Sequence, residues 1–140
     1  MKKQKGFTLV ELMVVLLIVG ILASVATPVL RGRIDAAKWS EGKGMLGSIS
    51  TAIKAYAAEQ ADAGNYPPSM NADLGFLAED LTGKYFDDSD FTISSCSYDE
   101  SQTPRLQFII TASAPSGIST PVSVTLDQDG TWQETTGSGS

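Results

Sequence analysis

Nineteen residues, Leu12 to Leu30, pass without a charge, and a carboxylate, Glu11, stands directly before them. A helix rises about 1.5 Å per residue, so this run is about 29 Å long and can cross a hydrocarbon core. A charge at bilayer depth costs roughly 2.5–3.5 kcal/mol and marks a function or a partner. Lys2, Lys3 and Lys5 lie before the run and favour a cytoplasmic N-terminus. Arg31, Arg33 and Lys38 lie just beyond it, so charge asymmetry alone is a weak guide to orientation. The 140 residues leave room for one small domain after the span.

The stretch Gly6-Phe7-Thr8-Leu9-Val10-Glu11, preceded by Met1-Lys2-Lys3-Gln4-Lys5, resembles the class III signal of type IV prepilins and pseudopilins. The resemblance covers the N-terminal quarter. It implies that a peptidase cuts after Gly6 and methylates the new N-terminal residue, Phe7, and that the mature chains pack their apolar helices into a filament. It also implies that Gly20 and Pro28 bracket a segment that loosens when the subunit leaves the bilayer. The implied partners are related subunits, the prepilin peptidase and N-methyltransferase, an inner-membrane assembly platform with its own ATPase, and the inner membrane before assembly. The implied location is the bacterial inner membrane, N-terminus cytoplasmic and domain periplasmic, then the extracellular pilus.

Physical chemistry supports a role for Glu11 at that junction. A free amine on Phe7 at a helix N-terminus is disfavoured by the helix dipole and by burial. A carboxylate in an apolar layer has the complementary problem. Pairing Glu11 with the Phe7 amine, of its own or an incoming subunit, relieves both, as a registry device more than a source of stability.

Cleavage after Gly6 removes three of ten basic residues and none of sixteen acids, taking the formal net charge from −6 to −9. Beyond Lys54 the only basic side chains are Lys84 and Arg105. That argues against a domain-wide surface for nucleic acid or anionic lipid. There is no histidine, and Cys96 is the single cysteine. Ser-His and Cys-His dyads and His-ligated zinc are therefore excluded within one chain. Cys96 reads as a small buried apolar residue. Many type IV pilins carry a C-terminal disulfide loop; this chain departs from that pattern, so something else must secure its C-terminal end.

Past the span, Ile34, Ala37, Glu41, Met45, Ile49, Ala52, Ile53 and Tyr56 follow the spacing of one helix face, expected to carry the domain. Gly64-Asn65 is the expected stop, and Tyr66-Pro67-Pro68 an extended stretch. Asn71 to Leu81 suggests a short helix. From Asp90 the period becomes two: Phe91 and Ile93, then Leu106, Phe108 and Ile110, then Val122, Val124 and Leu126. Asp129-Gly130 signals a hairpin, with Thr131-Trp132-Gln133 returning. The expected fold is α+β and pilin-like: a long N-terminal helix packed on a small antiparallel sheet. Its divisions are a leader (1–6), an apolar polymerisation helix (7–30), an amphipathic helix (31–63), a connecting loop (64–89), a β-meander (90–134) and a tail (135–140). Gly137-Ser138-Gly139-Ser140 has the composition of a linker.

Gly42-Lys43-Gly44-Met45-Leu46-Gly47 satisfies G-x-G-x-x-G but follows no strand and lies in a helical stretch, which excludes a dinucleotide site. Three glycines cost about 2–3 kcal/mol of helix propensity against alanine. The expected compensation is close approach of a neighbouring helix or the sheet, or else local bending. No P-loop is present, so ATP-driven assembly requires a separate motor. Asp127 and Asp129, with the cluster Asp87-Asp88-Ser89-Asp90, raise calcium, which major pseudopilins of type II secretion bind near their C-termini. Neither stretch completes an EF-hand-type loop, and turn chemistry explains Asp-Gly without metal. No cofactor and no enzymatic activity are expected.

The function implied is a structural pilus subunit serving adhesion, surface motility or DNA uptake. Its alternative is a pseudopilin of type II secretion. A third reading takes Ser24-Val25-Ala26 as an ordinary signal-peptidase site, releasing a secreted binding domain that begins at Thr27.

Overall fold

A computed structural model describes residues 6–137; the start of the leader and the last three residues of the tail lie outside them. One helix, α1, runs Leu9–Gln60 through both Gly20 and Pro28. The chain divides into two compact units, Met1–Ile34 and Asp35–Ser140.

In the first unit, apolar side chains from Phe7 to Leu30 are exposed on every side of the helix. Its most apolar eighteen-residue window has a mean hydropathy of 2.8, and none of it is buried. Pro28 has no N–H to give the carbonyl of Ser24. Nearby hydroxyls turn back onto the helix: Ser24 Oγ donates to the Ile21 carbonyl at 2.7 Å and Thr27 Oγ1 to that of Ala23 at 2.9 Å.

The second unit holds the rest of α1 and four strands: β1 (Phe91–Tyr98), β2 (Leu106–Ser113), β3 (Ser123–Asp127) and β4 (Trp132–Thr135). They form an antiparallel meander in sequence order. The α+β expectation therefore holds. Trp39, Leu46, Ile49 and Ile53 of α1 form one core with Phe108, Ile110, Val124 and Leu126 of the sheet. A bulge between Ile93 and Ser95 shifts the register of β1, so that Phe91 and Cys96, an odd and an even position, are both buried.

Two local expectations are corrected, and a third gains detail. The buried stripe of α1 is Asp35, Trp39, Gly42, Leu46, Ile49, Ser50, Ile53 and Ala57, whereas Ile34 and Ala37 are exposed. The true face is rotated by about a quarter turn from the one expected. Three of its positions are polar or lack a side chain, which conceals it from an apolar periodicity.

Asn71 to Leu81 forms turns instead of a helix. Side-chain carboxylates there take the N–H groups a helix needs: Asp73 accepts from Ser69, Asp80 from Leu77, and Asp88 from Glu79 and Leu81.

The helical run stops at Gly64 as expected, with Gly64 as the cap of its last turn. A 3-10 turn over Ala61–Ala63 follows α1, Ala61 takes the positive φ of 44°, and Gly64 is extended. A Cβ on Gly64 would lie 3.0 Å from the Tyr56 ring and 3.1 Å from the Tyr66 ring.

Among the three glycines of the Gly42–Gly47 stretch, Gly42 alone is closely approached, and by a loop side chain. A Cβ there would meet the Phe86 ring at 2.8 Å; Gly44 and Gly47 have nothing within 4 Å. Phe86 in turn packs on Trp39 at 5.0 Å between ring centroids and on Phe91 at 5.9 Å.

Candidate functional site

Gly6, Phe7 and Thr8 precede α1 in an irregular segment, and all three are exposed, Phe7 by 87%. The helix therefore begins just after the Gly6–Phe7 bond, leaving that bond in open chain.

Thr8 and Glu11 close the helix start reciprocally. Thr8 Oγ1 accepts from the Glu11 N–H at 3.2 Å, and Glu11 Oε2 accepts from the Thr8 N–H at 3.3 Å. The Thr8 hydroxyl can also donate to Glu11 Oε2 at 3.3 Å. This is a capping box, with threonine at the N-cap and glutamate three residues on. Its T-x-x-E signature is legible in the sequence, where the pairing expected between the acid and the Phe7 amine conceals it. The intact chain has a peptide N–H at Phe7, so that amine does not yet exist. Glu11 Oε1 accepts no hydrogen bond among the described residues.

Gly20 and Pro28 lie inside α1, both exposed. Leu22, Val25, Ala26, Val29, Leu30 and Arg33 line an open groove of about 470 Å³ along one side of this helix.

In the second unit, one turn of α1 ties down the connection between β2 and β3. Asp35 Oδ2 accepts from the Ser119 N–H at 3.0 Å, Lys38 Nζ donates to the Gly117 carbonyl at 2.7 Å, and Trp39 Nε1 donates to that of Pro121 at 3.1 Å. Glu41 Oε1 accepts from the N–H groups of Tyr85 and Phe86 at 2.8 and 3.0 Å. Burial alone raises the Glu41 carboxyl's pKa, but those backbone bonds, with Lys84 nearby, outweigh it and hold it below its ordinary value.

The C-terminal strand is held without a disulfide. β4 pairs with β3 from Trp132 to Thr135. Lys43 Nζ lies 2.6 Å from Glu134 Oε1 and 5.9 Å from the centroid of the Trp132 ring. Cys96 is free and buried, and desolvation pushes its thiol up to about 11.

Asp127 Oδ1 accepts from the N–H groups of Asp129 and Thr131, and Asp129 Oδ2 accepts from the Gln128 amide. These carboxylates organise their own turn. Among the described residues no group of three or more acidic, histidine or cysteine side chains could hold a metal.

The prokaryotic N-terminal methylation motif matches residues 1–27. Fimbrial protein EcpC of Eikenella corrodens is 39% identical over 82 residues, covering 59% of this chain and 50% of that protein. Type IV major pilin protein PilE1 of Neisseria gonorrhoeae is also 39% identical over 82 residues, covering 59% of this chain and 37% of that one. Type II secretion system core protein G of Pseudomonas aeruginosa is 44% identical over 55 residues, 39% of each chain. The chain thus spans about half, or less, of the length of the relatives it matches. No solved structure gives a significant match. The resemblance carried by Gly6 to Glu11 is met in these comparisons: the methylation motif covers those residues, and the relatives include type IV pilins and fimbrial proteins.

Proposed function

We propose that this chain is a structural subunit of a type IV pilus, made as an inner-membrane precursor, cleaved after Gly6, methylated at Phe7 and polymerised through residues 7–30. The single observation that carries this reading is the exposed apolar helix from Leu9 to Leu30, headed by a capped carboxylate. Such a surface needs lipid or other apolar helices around it. Both are available to a subunit that begins in a bilayer and ends in a filament.

The open chain at Gly6–Phe7 suits a processing enzyme, and the box that Glu11 forms with Thr8 keeps the acid one turn from the new amine. The proposed partners are related subunits, the prepilin peptidase and methyltransferase, and a membrane platform driven by a separate ATPase. Adhesion, motility or DNA uptake belongs to the assembled fibre. No catalytic step is assigned to the chain.

The test is the intact mass of the exported protein. A chain starting at methylated Phe7 supports the filament reading, and one starting at Thr27 overturns it in favour of a secreted domain. A second reading, a pseudopilin of type II secretion, is favoured by the similarity to core protein G. Extended surface fibres from cells expressing this chain at its native level count against it.

A further inference from the structure

The exposed helix bears opposite charges near its two ends, and they lie on one side of it. Arg33 comes about six full turns after Glu11, an axial distance of about 33 Å. Between them on that side runs the groove of Leu22, Val25, Ala26, Val29 and Leu30, which ends at Arg33. Those five side chains are all apolar, so the groove offers an occupant only apolar contact until the guanidinium. Neither Arg33 nor Glu11 forms an ion pair among the described residues.

We infer that the Arg33 end of the groove, at Val29 and Leu30, receives the helix start of a second copy of this chain, whose Glu11 pairs with Arg33. The inference rests on the filament reading and adds a register to it. Two parallel copies offset by about 33 Å bring the acid of one beside the guanidinium of the other. The same offset lays Phe7 of the second copy, four residues before its acid, against Val29 in the groove. A phenyl ring that is 87% exposed in the isolated chain thereby gains an apolar seat. Copies inserted in one bilayer by one route run parallel, so the contact joins different surfaces and leaves each copy's own groove or helix start open. Such a head-to-tail contact propagates instead of closing. An unpaired charge facing apolar surface is costly on either helix, so wrong offsets are rejected as well as the right one favoured.

Charge reversal tests the pair. Arg33→Glu alone and Glu11→Arg alone should each lower filament yield roughly tenfold or more, the factor set by about 1.4 kcal/mol, with membrane insertion and leader removal unchanged. The double variant Glu11→Arg/Arg33→Glu should recover filaments to within a few-fold of the parent. Val29→Trp, which fills the groove and keeps both charges, should also lose filaments while inserting normally.

Normal filaments from Arg33→Glu or from Val29→Trp overturn the inference. So does a double variant no better than Glu11→Arg, the result expected if the acid serves only the Phe7 amine. Loss of co-purifying phospholipid from Arg33→Gln with filaments unaffected also overturns it, since the groove would then hold lipid. A parent chain that never forms filaments refutes the filament reading instead, which keeps the two failures apart.

Discussion

The two halves of α1 solve the same problem in opposite ways. Beyond Asp35 the helix turns a stripe inward, and Leu46, Ile49 and Ile53 are wholly removed from water. From Leu12 to Leu30 it is apolar all round, and Leu12, Val15, Leu16 and Ile18 remain more than half exposed. One half finds its apolar partners within the chain; the other must find them outside it. A substitution should therefore damage folding in one half and assembly in the other, with little crossing between them.

The largest effect belongs to the junction ahead of the exposed half. Gly6→Glu should leave essentially all of the chain in the membrane with its leader attached, read by intact mass, while the domain's thermal midpoint stays where it was. A processed variant, or a domain that melts early, would break the division between the halves.

Next comes the buried half. Ile53→Ala removes a fully buried side chain from the contact of α1 with the sheet. It should cost about 2–5 kcal/mol by denaturant unfolding of the detergent-solubilised chain. Membrane insertion and cleavage should be untouched; loss of either would mean the halves are coupled.

Glu41 gives a smaller, pH-dependent effect. Its carboxyl sits below the ordinary 4.5 in the folded chain, so the folded state binds that proton less readily than the unfolded one. Its contribution is complete above that value and disappears as pH falls through the lower folded one. Glu41→Gln should melt at a lower temperature than the parent at pH 7, and the gap should close on acidification below 4.5. A gap that persists in acid would show that the carboxylate acts by shape alone.

The smallest effect concerns the last strand. Lys43→Gln removes the ion pair to Glu134 and the cation over Trp132, both partly exposed. It should cost no more than about 1 kcal/mol, less in high salt, with hydrogen exchange of β4 the sensitive measurement. A larger loss that ignores salt would assign the anchoring to packing.

What could be read in advance divides along the same line. Glu11, the uncharged run and the change of period from helix to strand were all visible, because each is a local pattern with a local cause. The capping box was equally visible, as threonine three residues before glutamate, yet was masked by the more conspicuous charge. The buried stripe was not, because Asp35, Gly42 and Ser50 share it with the hydrophobes. Only the loop that brings Phe86 onto Gly42, and the backbone of Ser119 that satisfies Asp35, explain the places of Gly42 and Asp35 there.

From its residues alone, then, this chain commits to an apolar rod with an acid at its head and a small α+β domain behind it, since hydropathy and period act over a few neighbours. Tertiary structure decided which side of α1 is core, which glycine is crowded and how an end without a disulfide is held. Those outcomes depend on groups that are distant in sequence and meet only after the sheet has closed over the helix.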